Sequence, residues 1–545
     1  MAAAQGWWTA ALAQWPGNAA VCCAVANARV QAGFVDDAIA AYRKALILSP
    51  GLSSANNNLG VALRWKGQLA ESLRCFESAL ADTVQSAKRA NLLVNIGNVL
   101  QELGHLKAAQ QSLRAALSLE PDHPLAHSDL LFCLLHSDDL EPGQLFSYHS
   151  EFGERFASTN SGLTPPRFST GPCPLPRVAF VSADLRQHAV AMLLEPMWQA
   201  FVANRADPVH VYHTHQIEDQ VSDRFKRHCV WRNVSKLSDA QLAQQIKDDR
   251  IDILIDLSGH TAANRLQVFA QKPAPVQMSW LGYPYTTGLR TIDYYIADRF
   301  LVPPASEARF VEKIIRLPAA AAFKAPDGGP AVNSLPALDA GRFTFGSFSR
   351  GAKITDSTLR QWARALQVTA GSRLVVGGLT SQESLNRVSE ALTTQGIESH
   401  RIQFLARLPL HSYLKTHHMI DLLLDSVPYG AGSTSLFAAW MGVPTLTNAG
   451  TDAHSRQTAA IMLHLGLGDF VLDAPADQDD RLQAITSAPQ RLNQIRQSLR
   501  DTVNGSVVCN PPRLAEALES ALVLAWQRQT CGLPAASFDV GEAAA

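Results

Sequence analysis

A repeat register constrains this chain more than any other feature. Gly33, Gly67 and Gly104 stand 34 and then 37 residues apart, and each precedes a helical segment. Five residues after each glycine comes a small residue: Ala38, Ser72 and Ala109. Nine residues after comes a bulkier one, Tyr42, Phe76 or Leu113, and twelve after comes Ala45, Ala79 or Ala116. Pro50 and Pro121 close the first and third copies, and residues 83–90 absorb the extra three positions. Ala26, Gly60 and Gly97 hold the matching small position in the helix before each glycine. Small side chains belong where paired helices must touch, and one bulky side chain fills the remaining gap.

This is the helix–turn–helix grammar of tetratricopeptide repeats. Such units bury their faces only by stacking, so three or more form a superhelix with a concave surface that usually holds extended peptide. Protein or peptide acceptors held in the repeat groove are therefore the expected partners; a homodimer or a plain spacer is the structural alternative. Asn56, Asn57, Asn58, Asn95 and Asn98 fall on first helices although Asn is a poor helix former, and their amides are expected to clamp a peptide backbone. Residues 126–135 start a degenerate fourth copy.

Pro165, Pro166, Pro174 and Pro176 then mark a linker. Beyond it the pattern becomes strand, loop, helix. Residues 177–182, 208–213 and 251–257 read as buried strands, with a helix over 240–249. A Pro- and Gly-rich stretch, 325–336, breaks the series, and a second set follows at 343–348, 373–376, 402–405, 422–424 and 444–447. Alternating apolar strands and helices argue for parallel sheets covered on both faces. The expected fold is thus α/β with all-α N-terminal repeats: two doubly wound halves facing each other across a cleft. The expected divisions are 1–137 for the repeats, 138–176 for linker helices, and 177–335 and 336–545 for the two halves.

A length of 545 residues fits about three domains. A formal net charge of −1 gives nucleic acid and anionic membranes no field to follow. No apolar run reaches the roughly 20 residues that a membrane helix needs. The first fifteen residues carry no basic residue before their apolar stretch, so no secretory signal is expected. The eight cysteines include no CxxC pair, so neither a zinc ribbon nor a disulfide framework is indicated, and a reducing cytoplasm is the expected location.

Ligands of doubly wound sheets bind beyond the carboxyl ends of strands, so the residues just after each strand are the candidates. His188 follows the first strand and can accept or orient a hydroxyl proton; helix capping is the alternative. Ser258-Gly259-His260-Thr261 follows 251–257, where His260 is expected to be structural. Trp280-Leu281-Gly282-Tyr283-Pro284-Tyr285 is a tight aromatic loop that lets backbone N–H groups approach a ligand. Arg350 and Lys353 flank Gly351 after 343–348, an arrangement suited to neutralising a diphosphate. Gly432-Ser433-Thr434 opens a helix near residue 436, and a helix N-terminus binds phosphate through free N–H groups and its dipole. Thr451-Asp452-Ala453-His454-Ser455-Arg456 repeats that theme after 444–447. Metal sites look poor. His210, His213 and His215 are explained by a polar strand edge, and Asp477-Gln478-Asp479 sits in a charged turn.

These residues match a known family. Residues 178–188, 251–264, 273–298, 345–354 and 421–450 resemble the O-GlcNAc transferase family, and the chain looks like a bacterial homologue of it. Its sister group is the SPINDLY-type protein O-fucosyltransferases. Ala274-Pro275-Val276-Gln277 followed by Trp280-Leu281-Gly282-Tyr283-Pro284 is the most specific match.

The resemblance implies a tetratricopeptide superhelix followed by a GT-B catalytic region of two Rossmann-like domains. It also implies inverting transfer from UDP-GlcNAc to Ser or Thr hydroxyls with no metal cofactor. By that resemblance His188 is the active-site histidine and Lys353 stabilises the departing diphosphate. Arg350 lies beside the nucleotide, Ser433 and Thr434 meet the phosphates, and Leu408 meets the nucleobase through its backbone. Gly282, Tyr283 and Pro284 line the sugar pocket. Phe437 replaces the Asp that holds the ribose in animal members, and Leu410, Tyr413 and Thr416 replace their basic and His positions near uracil; Tyr413 can still stack on a base. These departures keep two alternatives open: transfer of fucose from GDP-fucose, and an inactive repeat scaffold.

Overall fold

Paired helices with a small residue at each crossing and a glycine at each turn build the N-terminal part. The computed structural model describes residues 2–141, 143–157, 175–203, 205 and 207–541, which divide into two compact units. The first takes Met1–Leu134 with the short segments Arg350–Ala352 and Leu379–Val388. Its hairpins are Ala19–Gln31 with Val35–Leu48, Ser53–Trp65 with Leu69–Ala81, and Ser86–Leu103 with Leu106–Leu119. Ala2–Gln14 precedes them, and Pro124–Leu134 stands where a fourth copy was expected. Gly33, Gly67 and Gly104 turn each hairpin with φ of 85°, 73° and 89°. A Cβ on Gly60 would lie 2.8 Å from the Phe76 ring, and one on Gly97 would lie 2.7 Å from Leu113. That is why the small position and the bulky position occur together.

The asparagines of the first helices bond largely within the array. Asn56 turns inward and donates to the Pro50 carbonyl and the Ser78 hydroxyl, both at 3.3 Å. The others bond one another along the first helices: Asn58 donates to Asn27, Asn57 to Asn58 and Asn95 to Asn57, at 2.9, 3.0 and 3.1 Å. Asn98 donates to Asp129 at 2.7 Å. Their first task is to join neighbouring repeats.

The second unit holds two all-parallel sheets. The first contains β1 (Val178–Ser182), β2 (His210–His213), β3 (Val230–Asn233), β4 (Ile253–Asp256), β5 (Val276–Ser279), β6 (Tyr294–Ala297) and β7 (Lys313–Arg316). The second contains β8 (Thr344–Ser347), β9 (Arg373–Val376), β10 (Ile402–Phe404), β11 (Leu422–Leu424), β12 (Thr445–Asn448) and β13 (Val471–Leu472). The chain then returns to the first sheet with β14 (Phe538–Asp539), which pairs with β7. The orders are β14-β7-β6-β5-β4-β1-β2-β3 and β10-β9-β8-β11-β12-β13.

Three expectations need correction. The division 336–545 fails at its end: the helix Pro511–Thr530 buries Leu514, Leu518, Leu522 and Trp526 in the core of the first sheet, and β14 extends that sheet. The linker helix expected within 138–176 is more than a connector, because Gln144–Arg155 buries His149 and Phe152 within the second unit; Pro165, Pro166 and Pro174 lie outside the described residues. The histidines on β2 do not sit on a sheet edge, since β2 pairs with β1 on one side and β3 on the other. His213 is fully buried, stacked on Trp231 at 4.9 Å. Among the described residues no helix is long and apolar enough to cross a membrane.

Candidate functional site

Each sheet reverses its strand order once, and the candidate residues gather there. In the first sheet the chain runs from β1 out to β3 and returns to β4 on the other side of β1. In the second it runs from β8 out to β10 and returns to β11. A crevice opens at such a switch point beyond the carboxyl ends of the two diverging strands. His188 follows β1 and Ser258-Gly259-His260 follows β4; Lys353 follows β8 and residues 425–434 follow β11.

Each switch point carries the same device, which the sequence reading missed. At the end of β4, the fully buried Asp256 accepts N–H groups from Ser258 and Gly259 at 3.1 and 2.7 Å and the Ser279 hydroxyl of β5 at 3.1 Å. Just past β11, Asp425 accepts N–H groups from Ser426 and Ala431, both at 2.8 Å, and the Thr447 hydroxyl of β12 at 2.7 Å. Burial pushes the Asp256 carboxyl up to about 6, against the N–H groups of Gly259 and Ser258, and it raises Asp425 against the hydroxyls of Thr447 and Thr458. A buried acceptor that gathers loop amides fixes the loop's shape. The signal in sequence is an Asp at the end of an apolar strand.

The loop held by Asp425 makes the second-sheet site. Lys353 is 8 % exposed; its ammonium donates to the Gly430 carbonyl at 2.6 Å and lies 4.2 Å from the centre of the Tyr429 ring. His136 stacks on that ring at 4.5 Å. Gly432 has φ 55° and ψ −117° and caps the helix Ser433–Trp440, which starts three residues before the expected position. Ala431 N–H is taken by Asp425, Thr434 N–H by the Ala431 carbonyl and Ser435 N–H by Gly432. Among the described residues the N–H groups of Gly432 and Ser433 donate to no protein acceptor. Two free amides at a helix start beside a buried ammonium suit an anion. Tyr413 packs edge-on against Phe348 and Phe437, at 5.5 and 6.1 Å, and burial raises its phenol.

At the first sheet, His188 is exposed and its Nδ1 accepts the Val190 N–H at 3.3 Å, so the ring caps the helix Ala189–Ala203. His260 is structural as expected: it is fully buried, with Nε2 against the Thr287 carbonyl at 2.9 Å. Gly282 permits backbone contact, since a Cβ there would stand 1.9 Å from the Leu257 carbonyl. Tyr283 and Pro284 are both buried in the loop. The Tyr283 ring is 1 % exposed and its hydroxyl donates to His149 Nε2 at 2.7 Å, so it braces the loop from inside.

His454 is 5 % exposed and lies near Tyr285 and Tyr429. Arg350 is exposed and groups with the first unit. Leu408 is exposed after β10. Asp479 pairs with Arg364, and Asp477 accepts the Ala474 N–H at 2.9 Å.

A family model described as Glycosyl transferase family 41 matches residues 173–324 and 335–516, and a tetratricopeptide repeat model matches 51–120. A protein of Arabidopsis thaliana named Probable UDP-N-acetylglucosamine–peptide N-acetylglucosaminyltransferase SPINDLY is 33 % identical over 427 residues, covering 76 % of this chain and 46 % of its own length. The protein of the same name from Oryza sativa subsp. japonica is 31 % identical over 436 residues, covering 77 % and 46 %. The chain thus spans about half the length of the curated relatives it matches. A solved structure of a lysine-to-methionine mutant of the Thermobaculum terrenum O-GlcNAc transferase aligns with a TM-score of 0.84 and 29 % identity, over 94 % of this chain and 98 % of that one.

Proposed function

Because the chain belongs to glycosyl transferase family 41, we propose that it is an inverting protein O-glycosyltransferase that moves N-acetylglucosamine from UDP-GlcNAc to Ser and Thr hydroxyls of proteins. The observation that carries this reading is the Lys353 ammonium fixed on Gly430 beside the free amides of Gly432 and Ser433. The acceptor hydroxyl oxygen attacks the anomeric carbon while the bond from that carbon to the diphosphate oxygen breaks. His188 directs or takes the hydroxyl proton, and the negative charge left on the diphosphate is met by Lys353 and the two amides. Preorganised donors of this kind are worth about 3 kcal/mol each in a transition state. On this reading the diphosphate needs no metal cofactor, and the repeats present protein acceptors in the cytoplasm. The sugar and the nucleotide are supported by the similar SPINDLY protein, named for UDP-N-acetylglucosamine, and the sugar by the similar O-GlcNAc transferase.

A second reading, transfer of fucose from GDP-fucose, is favoured by one observation. Phe437, which by the resemblance replaces the ribose-binding Asp of animal members, packs at 5.5 Å against Phe323. Thermal shift separates the two: a ligand at 100 times its Kd stabilises by about 2.7 kcal/mol. UDP and UDP-GlcNAc should raise Tm while GDP and GDP-fucose should not, and transfer should survive EDTA. A shift with the guanosine ligands alone would select the second reading, and no shift with any would leave only a scaffold.

A further inference from the structure

The helix Ala453–His464 follows β12 at the carboxyl end of the second sheet, and His454 is its second residue. The ring is 95 % buried by its 5 % exposure, yet its Nδ1 has no hydrogen-bond partner. Buried polar atoms are nearly always satisfied, so an exception in a crevice points to something the protein binds. Two aromatic rings wall the imidazole, one from each sheet's loops: Tyr285 at 5.9 Å, nearly perpendicular at 85°, and Tyr429 at 6.1 Å. The backbone ties it to the lysine. Gly430 N–H donates to the His454 carbonyl at 3.1 Å, and the Gly430 carbonyl accepts from Lys353 Nζ at 2.6 Å. His454 and Lys353 thus grip the same glycine.

The surroundings indicate which part of a donor meets this ring. Asp452, at the start of the same helix, already places a carboxylate there and pairs with Arg309 at 2.7 Å. The N–H groups of Ser455 and Arg456 go to the Asp452 carbonyl at 2.9 and 3.1 Å, so this terminus offers an anion less than the amides at Gly432 and Ser433 do. Burial brings the imidazole down to about 4, against the Asp452 charge, so it is neutral at pH 7 and offers one N–H and one lone pair. A sugar hydroxyl donates and accepts at once, and sugar C–H faces lie well against aromatic rings. We propose that His454 hydrogen-bonds the hydroxyl groups of the transferred sugar, and so reads the donor's sugar rather than its nucleotide. This rests on the transferase reading above.

The test uses the full chain with His454→Leu and His454→Gln. UDP affinity should stay within about twofold of wild type in both, because the contact is to the sugar. In the Leu variant kcat/KM for UDP-GlcNAc should fall about tenfold or more, the scale of a hydrogen bond lost with its polar partner left buried, and Gln should restore part of it. An unchanged kcat/KM, or an equal loss of UDP affinity, overturns the assignment. Should the Leu variant fail to fold, histidine-labelled wild-type protein decides by NMR, with His454 identified through the Gln variant. Its signal should move with UDP-GlcNAc and hold still with UDP; the same response to both, or to neither, overturns the proposal. A wild-type protein that binds neither UDP nor UDP-GlcNAc defeats the transferase reading itself and takes this proposal with it.

Discussion

Lys353 is oriented by a carbonyl and an aromatic face. Both attract an ammonium, and the leaving-group role proposed for it carries a kinetic consequence. Lys353→Ala should lower turnover by about 100-fold or more, close to 3 kcal/mol, while UDP binds within an order of magnitude of wild type. Single-turnover kinetics would show it, and an unaltered rate would remove the lysine from the reaction. Buried histidines set a second residue-scale property. His417 is fully buried, its Nδ1 lies 3.1 Å from the Leu414 carbonyl, and burial brings it from 6.5 down to about 4. A depressed folded pKa means that the unfolded chain takes up the proton first. The stability from this group is complete above pH 6.5 and is lost as pH falls toward 4. Between pH 7 and 5 that loss is about 2 kcal/mol. Urea denaturation of His417→Gln should show a correspondingly flatter pH dependence over that window; a slope equal to wild type would mean that His417 is not the group responsible.

At the scale of elements, the repeat crossings make a prediction of opposite signs. Gly60→Ala should destabilise the array by about 1–3 kcal/mol, because the new methyl would meet the Phe76 ring and force it aside. Gly6→Ala, inside Ala2–Gln14 with nothing within 4 Å, should stabilise by about 0.5–1 kcal/mol through helix propensity alone. Urea titration followed by the helix signal checks both, and equal effects would mean that the crossing is looser than 2.8 Å implies. Much here was legible in the chain because spacing encodes it: the glycine turns, the strands beginning at Arg373 and Leu422, and the loops that follow β1, β8 and β11. What was illegible is what only pairing decides. β3, β5, β6 and β7 are four-residue strands with no flanking signal long enough to separate them from loops. The inward turn of Tyr283 depends on His149, 134 residues away. The fixing of the 425–431 loop by Asp425 depends on a hydroxyl that β12 brings alongside β11.

At the scale of the molecule's larger unit, its two sheets are joined by chain crossings and by polar contacts. The helix Ala453–His464 grips the loop after β6: Arg456 donates to the Phe300 carbonyl at 2.9 Å, and His464 meets the buried Asp298 at 3.0 Å. Burial pushes the Asp298 carboxyl up, but the His464 hydrogen bond and charge, with the N–H groups of Leu301 and Ala320, bring it below its ordinary value. The helix Pro511–Thr530 is the other tie. It follows the whole second sheet in sequence, yet Leu514, Leu518 and Leu522 are 0 % exposed and Trp526 is 3 % exposed in the core under β1, β4 and β5. Burying four such side chains is worth about 1.5–3 kcal/mol each, which together rivals the 5–15 kcal/mol that typically separates a folded domain from its unfolded chain. A chain ending at Asn510 should therefore fail to melt cooperatively or bind nucleotide, although every residue from β1 to β13 is present. Leu518→Ala should lose about 2–5 kcal/mol, enough to lower Tm without abolishing the fold. Calorimetry of both separates a covering helix from an appendage: a truncated chain that unfolds in one sharp transition near the wild-type Tm would mean that the first sheet stands without it, and that the second half ends where the first expectation placed it.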